Sequence, residues 1–362
     1  MNNLSCRADL RLDHLNDYMP SIVDRLMSFD ADTSREAGAV RLRYPFGEAR
    51  LEANGRRLTL EVGSAHVEGL QRLRELVAVA VQIYARDESP NIVWTGDLAG
   101  DQRLVTFRKM TVERVTELSP HMRRVRLVGD DLARYGAFGS MHLRVLFPTP
   151  ANPDPIWPIA GPNGLPLWPS EERKPVARVY TVRRLNAEAG WMDIDFVVHG
   201  SHGGVDGVGS SWALSAQRGD QVGIIGPLGR PVRPAGWYVL GCDETGLPAM
   251  GRILESLPSN ARGLAFIEVA DAAEQQELAH PEGVDIRWFF RAGAPAGQHS
   301  ALFDAISQVE WPSGTTAFGW FAAESEQARK LRELWRNDRG LGRDQTLVAG
   351  YWKLGAAGPM AG

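Results

Sequence analysis

The pattern of apolar and polar positions changes texture twice along the chain, and each change predicts a different kind of domain. In residues 1–95 the first signal is helical. Leu15, Tyr18, Met19, Ile22, Val23 and Leu26 recur at helical spacing, with Pro20 either interrupting the run or marking its start. Three short strands follow near 39–45, 48–53 and 57–63, the last two joined by Asn54-Gly55, a strong hairpin signal. A second helix is predicted from about 66 to 87, with Val67, Leu70, Leu73, Val77, Ala80, Val81 and Tyr84 inward. Residues 1–95 therefore read as an α+β accessory domain. His14 and His66 read as surface or helix-end histidines.

After a polar, glycine-containing linker at 96–103, short strands and turns dominate. They lie near 105–117, 121–128, 139–147, 178–184, 191–199 and 220–225, and six such strands predict an antiparallel β-barrel over 104–235. The proline-rich segment 148–176 can be neither a central strand nor a regular helix. It reads as a long excursion from the barrel, either a functional lid or a disordered or decorative insertion. From Gly236 apolar runs alternate with helical segments near 245–256, 272–279, 299–309 and 324–338. That alternation predicts an α/β domain with a parallel sheet over 236–355. Ligands of such sheets sit beyond the carboxyl ends of the strands, which draws attention to the loops at 241–249 and 322–325.

Composition narrows the function classes. The 44% hydrophobic and 23% charged shares are those of an ordinary globular protein, and the length of 362 residues implies two or three domains. A formal net charge of -4 gives no general pull towards nucleic acid or anionic lipid. No apolar run reaches the length of a membrane span, and the first residues lack the pattern of an export signal. Cys6 and Cys242 are far apart with no metal-ligand spacing, so the simplest expectation is a reduced, cytoplasmic protein.

Candidate chemistry concentrates between Arg178 and Trp212. Two alternating strands, near 178–183 and 192–198, lead into a glycine-rich loop with Ser210 and Ser211 and a helix start at Trp212. An arginine and a threonine on a strand, beside backbone amides at a helix N-terminus, are what a bound pyrophosphate needs. The second domain lacks G-x-G-x-x-G, so the Rossmann dinucleotide fingerprint is absent.

Over about residues 104–355 the chain resembles the siderophore-interacting proteins, flavin-dependent ferric-siderophore reductases related to ferredoxin reductases. The resemblance is carried in order by SPHMRRVRLVGDDL (119–132), MHLRVLFP (141–148), RVYTVRR (178–184), DIDFVVHG (193–200), GSSWA (209–213), GDQVGIIGPLG (219–229), GCDETGLPAMGRILESLP (241–258) and GYWKLG (350–355). It implies an antiparallel six-stranded barrel that binds FAD, followed by an α/β parallel-sheet domain that binds NAD(P)H. Residues 1–95 resemble a domain of uncharacterised role that precedes this module in some members.

The resemblance also implies site residues. Arg178, Tyr180 and Thr181 match its R-x-Y-T signature, whose arginine binds the FAD phosphates while the other two lie along the isoalloxazine. His199 and Gly200 match an H-G pair next to the flavin. Gly209, Ser210, Ser211 and Trp212 match its phosphate loop, with Val208 and Gly209 where proline and alanine are more usual. His142 and Arg144 lie in a strand that usually reads H-V-K. Arg144 faces the anionic siderophore or flavin, or is a barrel-surface arginine. Asp243, Glu244 and Thr245 match a D-E-T loop that could meet the donor nucleotide. Ala323-Glu324-Ser325 stands where the family often has G-E-A, which adds a methyl where glycine would permit close nucleotide approach. Trp352 and Lys353 match a terminal Y-W-R, the tryptophan covering the flavin or closing the core, the lysine replacing a substrate-binding arginine.

The function so implied is reduction of a ferric siderophore by FAD, with NADPH, NADH or a ferredoxin as donor. The protein would act as a monomer without nucleic acid or membrane partners. Fe(II) is a poorer match than Fe(III) to hard oxygen ligands, so reduction loosens the chelate. Two alternatives stay open: a general NAD(P)H–flavin reductase, and a non-catalytic flavin or siderophore carrier.

Overall fold

The computed structural model describes residues 4–29, 31–36, 38–101, 103–198, 207–298 and 300–356, in two compact units. The first unit holds residues 1–108 together with 152–175. Its strands β1 (Leu4–Arg11), β2 (Asp32–Glu36), β3 (Ala39–Tyr44), β4 (Gly47–Asn54), β5 (Arg57–Ser64) and β6 (Thr95–Gly96) form one sheet, ordered β2-β3-β4-β5-β1-β6. Helices α1 (Leu15–Met27) and α2 (Val67–Tyr84) bury Leu15, Ile22, Val23, Leu26, Leu70, Leu73, Val77 and Val81 with it. Val67 and Tyr84, expected to face inward, are each 37% exposed. They are the terminal residues of α2, with a helical neighbour on one side only. His14 and His66 stand at the N-caps of the two helices, and Pro20 lies inside α1.

Two strands escape the sequence pattern for opposite reasons. On β1 the inward residues are Cys6, Ala8 and Leu10, and the first two are too small to register as an apolar face. On β2 every residue is exposed, so this edge strand has no buried face to read.

The second unit holds residues 109–151 and 176–362. Strands β7 (Phe107–Ser119), β8 (Met122–Val128) and β9 (His142–Phe147) begin a barrel. The chain then leaves it for a two-stranded ribbon, β10 (Ile159–Ala160) and β11 (Pro166–Leu167). That proline-rich excursion folds with the first unit. The Trp94 indole donates to the Asn163 carbonyl at 2.9 Å, and the Gln71 amide donates to the Gly164 carbonyl at 3.1 Å. The reading of 148–176 as a barrel lid or a decoration is corrected on that ground: carbonyls left free by a proline-rich chain find their donors in the first unit.

The barrel resumes with β12 (Val176–Asn186), β13 (Trp191–Val197), helix α3 (Val208–Ser215) and β14 (Gln221–Leu228). It closes in the order β12-β13-β8-β7-β14-β9 around Val125, Leu143, Val145, Phe147, Val182, Ile194, Phe196 and Ile224. A parallel sheet follows, built from β15 (Trp237–Cys242), β16 (Arg262–Val269), β17 (Val284–Phe290), β18 (Ala317–Glu324) and β19 (Thr346–Trp352). Helices α4 (Leu247–Ser256), α5 (Ala301–Ser307) and α6 (Ser325–Glu333) connect them. The helix expected over 272–279 is a single 3-10 turn, Ala272–Glu274.

The strand order β17-β16-β15-β18-β19 reverses direction between β15 and β18, so a switch-point crevice opens beyond their carboxyl ends. Strand β12 and helix α4 are tied by the buried Arg183, which grips Glu255 through two hydrogen bonds of 2.8 and 2.6 Å. Arg252 on the same helix donates to the Val182 carbonyl at 2.7 Å. Arg183→Ala is expected to destabilise the second unit by about 2 kcal/mol, because it removes both bonds to Glu255 and the packing of a buried side chain. Urea unfolding followed by tryptophan fluorescence measures it, and a change within about 0.5 kcal/mol would show the pair to be incidental.

Candidate active site

Strand β12 presents the R-x-Y-T residues on two faces, as period-two alternation requires. Tyr180 shares the barrel-side face with Val182. Its ring packs 4.4 Å, centroid to centroid, from Phe196 and 6.0 Å from Phe147, and Trp212 of α3 closes the cluster at 5.3 Å from Phe147. Burial raises the Tyr180 phenol well above its ordinary value, so it stays protonated at neutral pH. Thr181 lies on the other face, buried in register with His142. Arg178 bonds the Ala177 carbonyl at 2.8 Å and has no carboxylate partner among the described residues. Beside it, Val179 is 56% exposed and pairs in register with the exposed Arg144.

Helix α3 begins at Val208, not at Trp212, because Gly207 takes an extended backbone and lets the next residues enter the helix. The first-turn amides are thus those of 208–210, while the Ser211 amide already bonds the Gly207 carbonyl at 3.0 Å. Ser210 is buried and Ser211 is exposed. Gly209 is fixed by space: a Cβ there would fall 1.7 Å from the Tyr180 hydroxyl oxygen. Glycine lets the start of α3 sit directly on the R-x-Y-T tyrosine. His199 and Gly200 lie outside the described residues.

These features fit a flavin nucleotide. An arginine without a carboxylate partner among the described residues, a helix start held close to the same strand and an exposed β12 surface suit an anionic dinucleotide.

The switch-point crevice holds the second group of expected residues. Asp243 is buried and accepts from the Trp352 indole at 2.6 Å, the Thr245 amide at 2.9 Å and the Thr245 hydroxyl at 2.5 Å. Glu244 is held by Arg291 through bonds of 2.6 and 2.8 Å. Trp352 therefore latches the end of β19 onto the loop after β15, with its ring against the loop at Gly297. Gly246 permits the tight turn into α4, since a Cβ there would meet the Ala322 carbonyl at 2.7 Å. Ala323 packs with Phe266, Leu302 and Leu331 in the hydrophobic layer. Its methyl points into the core, so the expected obstruction of nucleotide approach does not arise. Lys353 is exposed.

Glu324 and Tyr351 lie inside the A-E-S and Y-W stretches but are not among the site residues expected from the sequence. Glu324 ends β18 and caps α6, accepting from the amides of Glu326 and Gln327. The Tyr351 hydroxyl meets His142 Nε2 at 2.6 Å and so joins β19 to barrel strand β9. Burial, and then the Arg252 charge, push His142 down to about 4, which keeps it neutral. Burial and then the neighbouring Glu244 charge raise Asp243 to about 7, against the pull of its Thr245 and Trp352 donors.

Comparison with known proteins places these features in a family. Residues 111–231 match the siderophore-interacting FAD-binding domain and residues 235–355 match the siderophore-interacting protein family. Ferric vibriobactin reductase ViuB of Vibrio cholerae is 37% identical over 252 residues, spanning 68% of this chain and 90% of the relative. The NADPH-dependent ferric-chelate reductase of Escherichia coli is 31% identical over 256 residues, spanning 68% and 92%. The crystal structure of a siderophore utilization protein from T. fusca superposes with a TM-score of 0.63 at 38% identity, covering 71% of this chain and 97% of that one.

Two outcomes follow from the geometry. Gly209→Ala forces α3 off Tyr180 and is expected to cost about 1–3 kcal/mol. Adding Tyr180→Phe, which removes the clashing oxygen, should recover part of it; thermal unfolding of both variants checks this, and no recovery would refute the clash. His142 gives a pH signature. From pH 6.5 down to about 4 only the unfolded chain takes up its proton, so stability falls across that window. Asp243 acts oppositely, adding stability as pH falls from about 7 towards 3.8. His142→Gln removes only the first slope, so its deficit against the unsubstituted protein should narrow between pH 6.5 and 4. A constant deficit in urea titrations would contradict it.

Proposed function

Because the chain belongs to the siderophore-interacting protein family, we propose that it uses bound FAD to reduce a ferric siderophore and so frees Fe(II) in the cytoplasm. One observation carries the reading: the stretch that matches the FAD-binding domain is the closed barrel whose β12 offers Arg178 without a carboxylate partner among the described residues. When bound, FAD supplies the conversion between a two-electron donor and a one-electron acceptor.

The residues of the chain bind and orient. Arg178 and the first-turn amides of α3 take the phosphates, and Thr181 sets the ring position from β12. Trp212, packed on Phe147 and Phe196, keeps α3 in place. Asp243, Glu244 and Thr245 shape the crevice at the switch point for the donor nucleotide. Their side chains bond within the loop and to Arg291 and Trp352, so the crevice is preorganised before a ligand arrives. Arg144 and Lys353 are exposed cations suited to an anionic ferric chelate. An obstructed nucleotide site would favour the non-catalytic carrier reading, and the place of Ala323 in the core gives that reading no support.

An anaerobic stopped-flow experiment tests the proposal. The purified protein should show a flavin spectrum that NADPH or NADH bleaches and a ferric siderophore restores. Bleaching by reduced ferredoxin alone would keep the reaction and change the donor. Arg178→Gln should weaken FAD binding at least tenfold, about 1.4 kcal/mol. A protein that cannot be loaded with FAD would overturn the proposal.

A further inference from the structure

Away from the flavin cradle, the outer face of the barrel carries a row of charges aligned by strand register. Arg114 of β7 stands opposite Arg126 of β8, Arg126 opposite Asp193 of β13, and Asp193 opposite Arg184 of β12. A second row sets Thr116 opposite Arg124 and Arg124 opposite Asp195. All except Asp195 line one cleft, with Leu118 as an apolar wall.

The two central arginines are each committed to one carboxylate. Arg124 holds Asp195 through bonds of 2.7 and 2.8 Å, and Arg126 holds Asp193 at 2.7 and 2.9 Å while its guanidinium lies 3.6 Å from the Trp191 ring centre. The carboxylates are buried, so these pairs form the floor of the cleft. The two outer arginines are different. Arg114 and Arg184 are exposed and form no ion pair with a described residue. Glu255, whose charge reaches Arg184 and Arg124, is already gripped by Arg183. Four guanidinium groups thus line the cleft with one carboxylate, Asp193, among its lining residues, while Asp195, Glu113 and Glu255 act on them from outside it. Arg114 and Arg126 also sit as like charges directly opposite one another, an unfavourable cross-strand pair. Three strand spacings, roughly 14 Å, separate β7 from β12, so side chains leaning in from both edges can meet a ligand over the floor.

We propose that this cleft is a binding site for a phosphate-class oxyanion, gripped from two sides by Arg114 and Arg184 with the Thr116 hydroxyl as a further donor. Guanidinium forks suit tetrahedral oxyanions, and an anion here offsets both the surplus charge and the like-charge pair. The site shares no residue with the flavin cradle and does not rest on the proposed reaction.

The test is isothermal titration calorimetry of the FAD-saturated full chain with inorganic phosphate and with pyrophosphate at low salt. Saturable binding is expected, with the dissociation constant raised at least tenfold in Arg114→Gln/Arg184→Gln and several-fold by raised salt. The visible flavin spectrum should be unchanged in that variant. Tighter binding of pyrophosphate would mark a ligand that spans both arginines, and equal binding a single phosphoryl group; either supports the site. Two results would overturn it: no saturable heat with either anion, or an unchanged constant in the double variant. Arg178→Gln serves as the control, since loss of anion binding there alone would place the anion in the flavin cradle.

Discussion

The second unit depends on one strand serving two masters. Strand β12 must send alternate side chains to opposite faces, and both faces are claimed. Tyr180 and Val182 point into the barrel, where Phe147 and Phe196 hold the tyrosine ring and Gly209 admits its hydroxyl. Thr181 and Arg183 point out, and Arg183 clasps α4 through Glu255. A one-residue slip would exchange these faces, putting a guanidinium in the apolar barrel and an aromatic ring against a carboxylate. The position of Arg178 is set by the same constraint.

At the other end of the module, the parallel sheet gains its shape from polar groups that satisfy one another. Trp352, Asp243 and Thr245 bind the last strand to the loop after the first, and Glu244 with Arg291 braces that loop from the side. The His142–Tyr351 bond links the sheet to the barrel strand that also carries Arg144. Buried groups of this kind are costly unless paired, so the network favours a single arrangement of the crevice, although Arg291 Nε has no hydrogen-bond partner among the described residues. The glycines at 209 and 246 act in the same sense, by removing the atoms that would hold two backbones apart.

Much of this was legible in the amino-acid pattern. The six barrel strands, the alternation of strand and helix after Gly236, and the R-x-Y-T and D-E-T stretches each announce themselves through period, turn residues or motif. What escaped detection did so for identifiable reasons. Cys6 and Ala8 are too small to draw an apolar face, and β2 has none. Glycine and serine runs carry no periodicity, so the pattern puts the start of α3 at Trp212, four residues after its true start at Val208. The Ala323 methyl faced an ambiguity no strand sequence resolves, since the fully buried β18 gives its two sides no contrast.

The chain by itself determined which elements form, their order, and the chemical character of the β12 signature, because those rest on local period, turn chemistry and residue type. Tertiary structure alone decided that the proline-rich excursion joins the first unit, that Asp243 meets a tryptophan 109 residues away, and that four arginines and two aspartates line up across four strands. Each of these follows from strand register and chain return. Both bring distant residues within hydrogen-bonding reach, and neither leaves a local trace in the order of the amino acids.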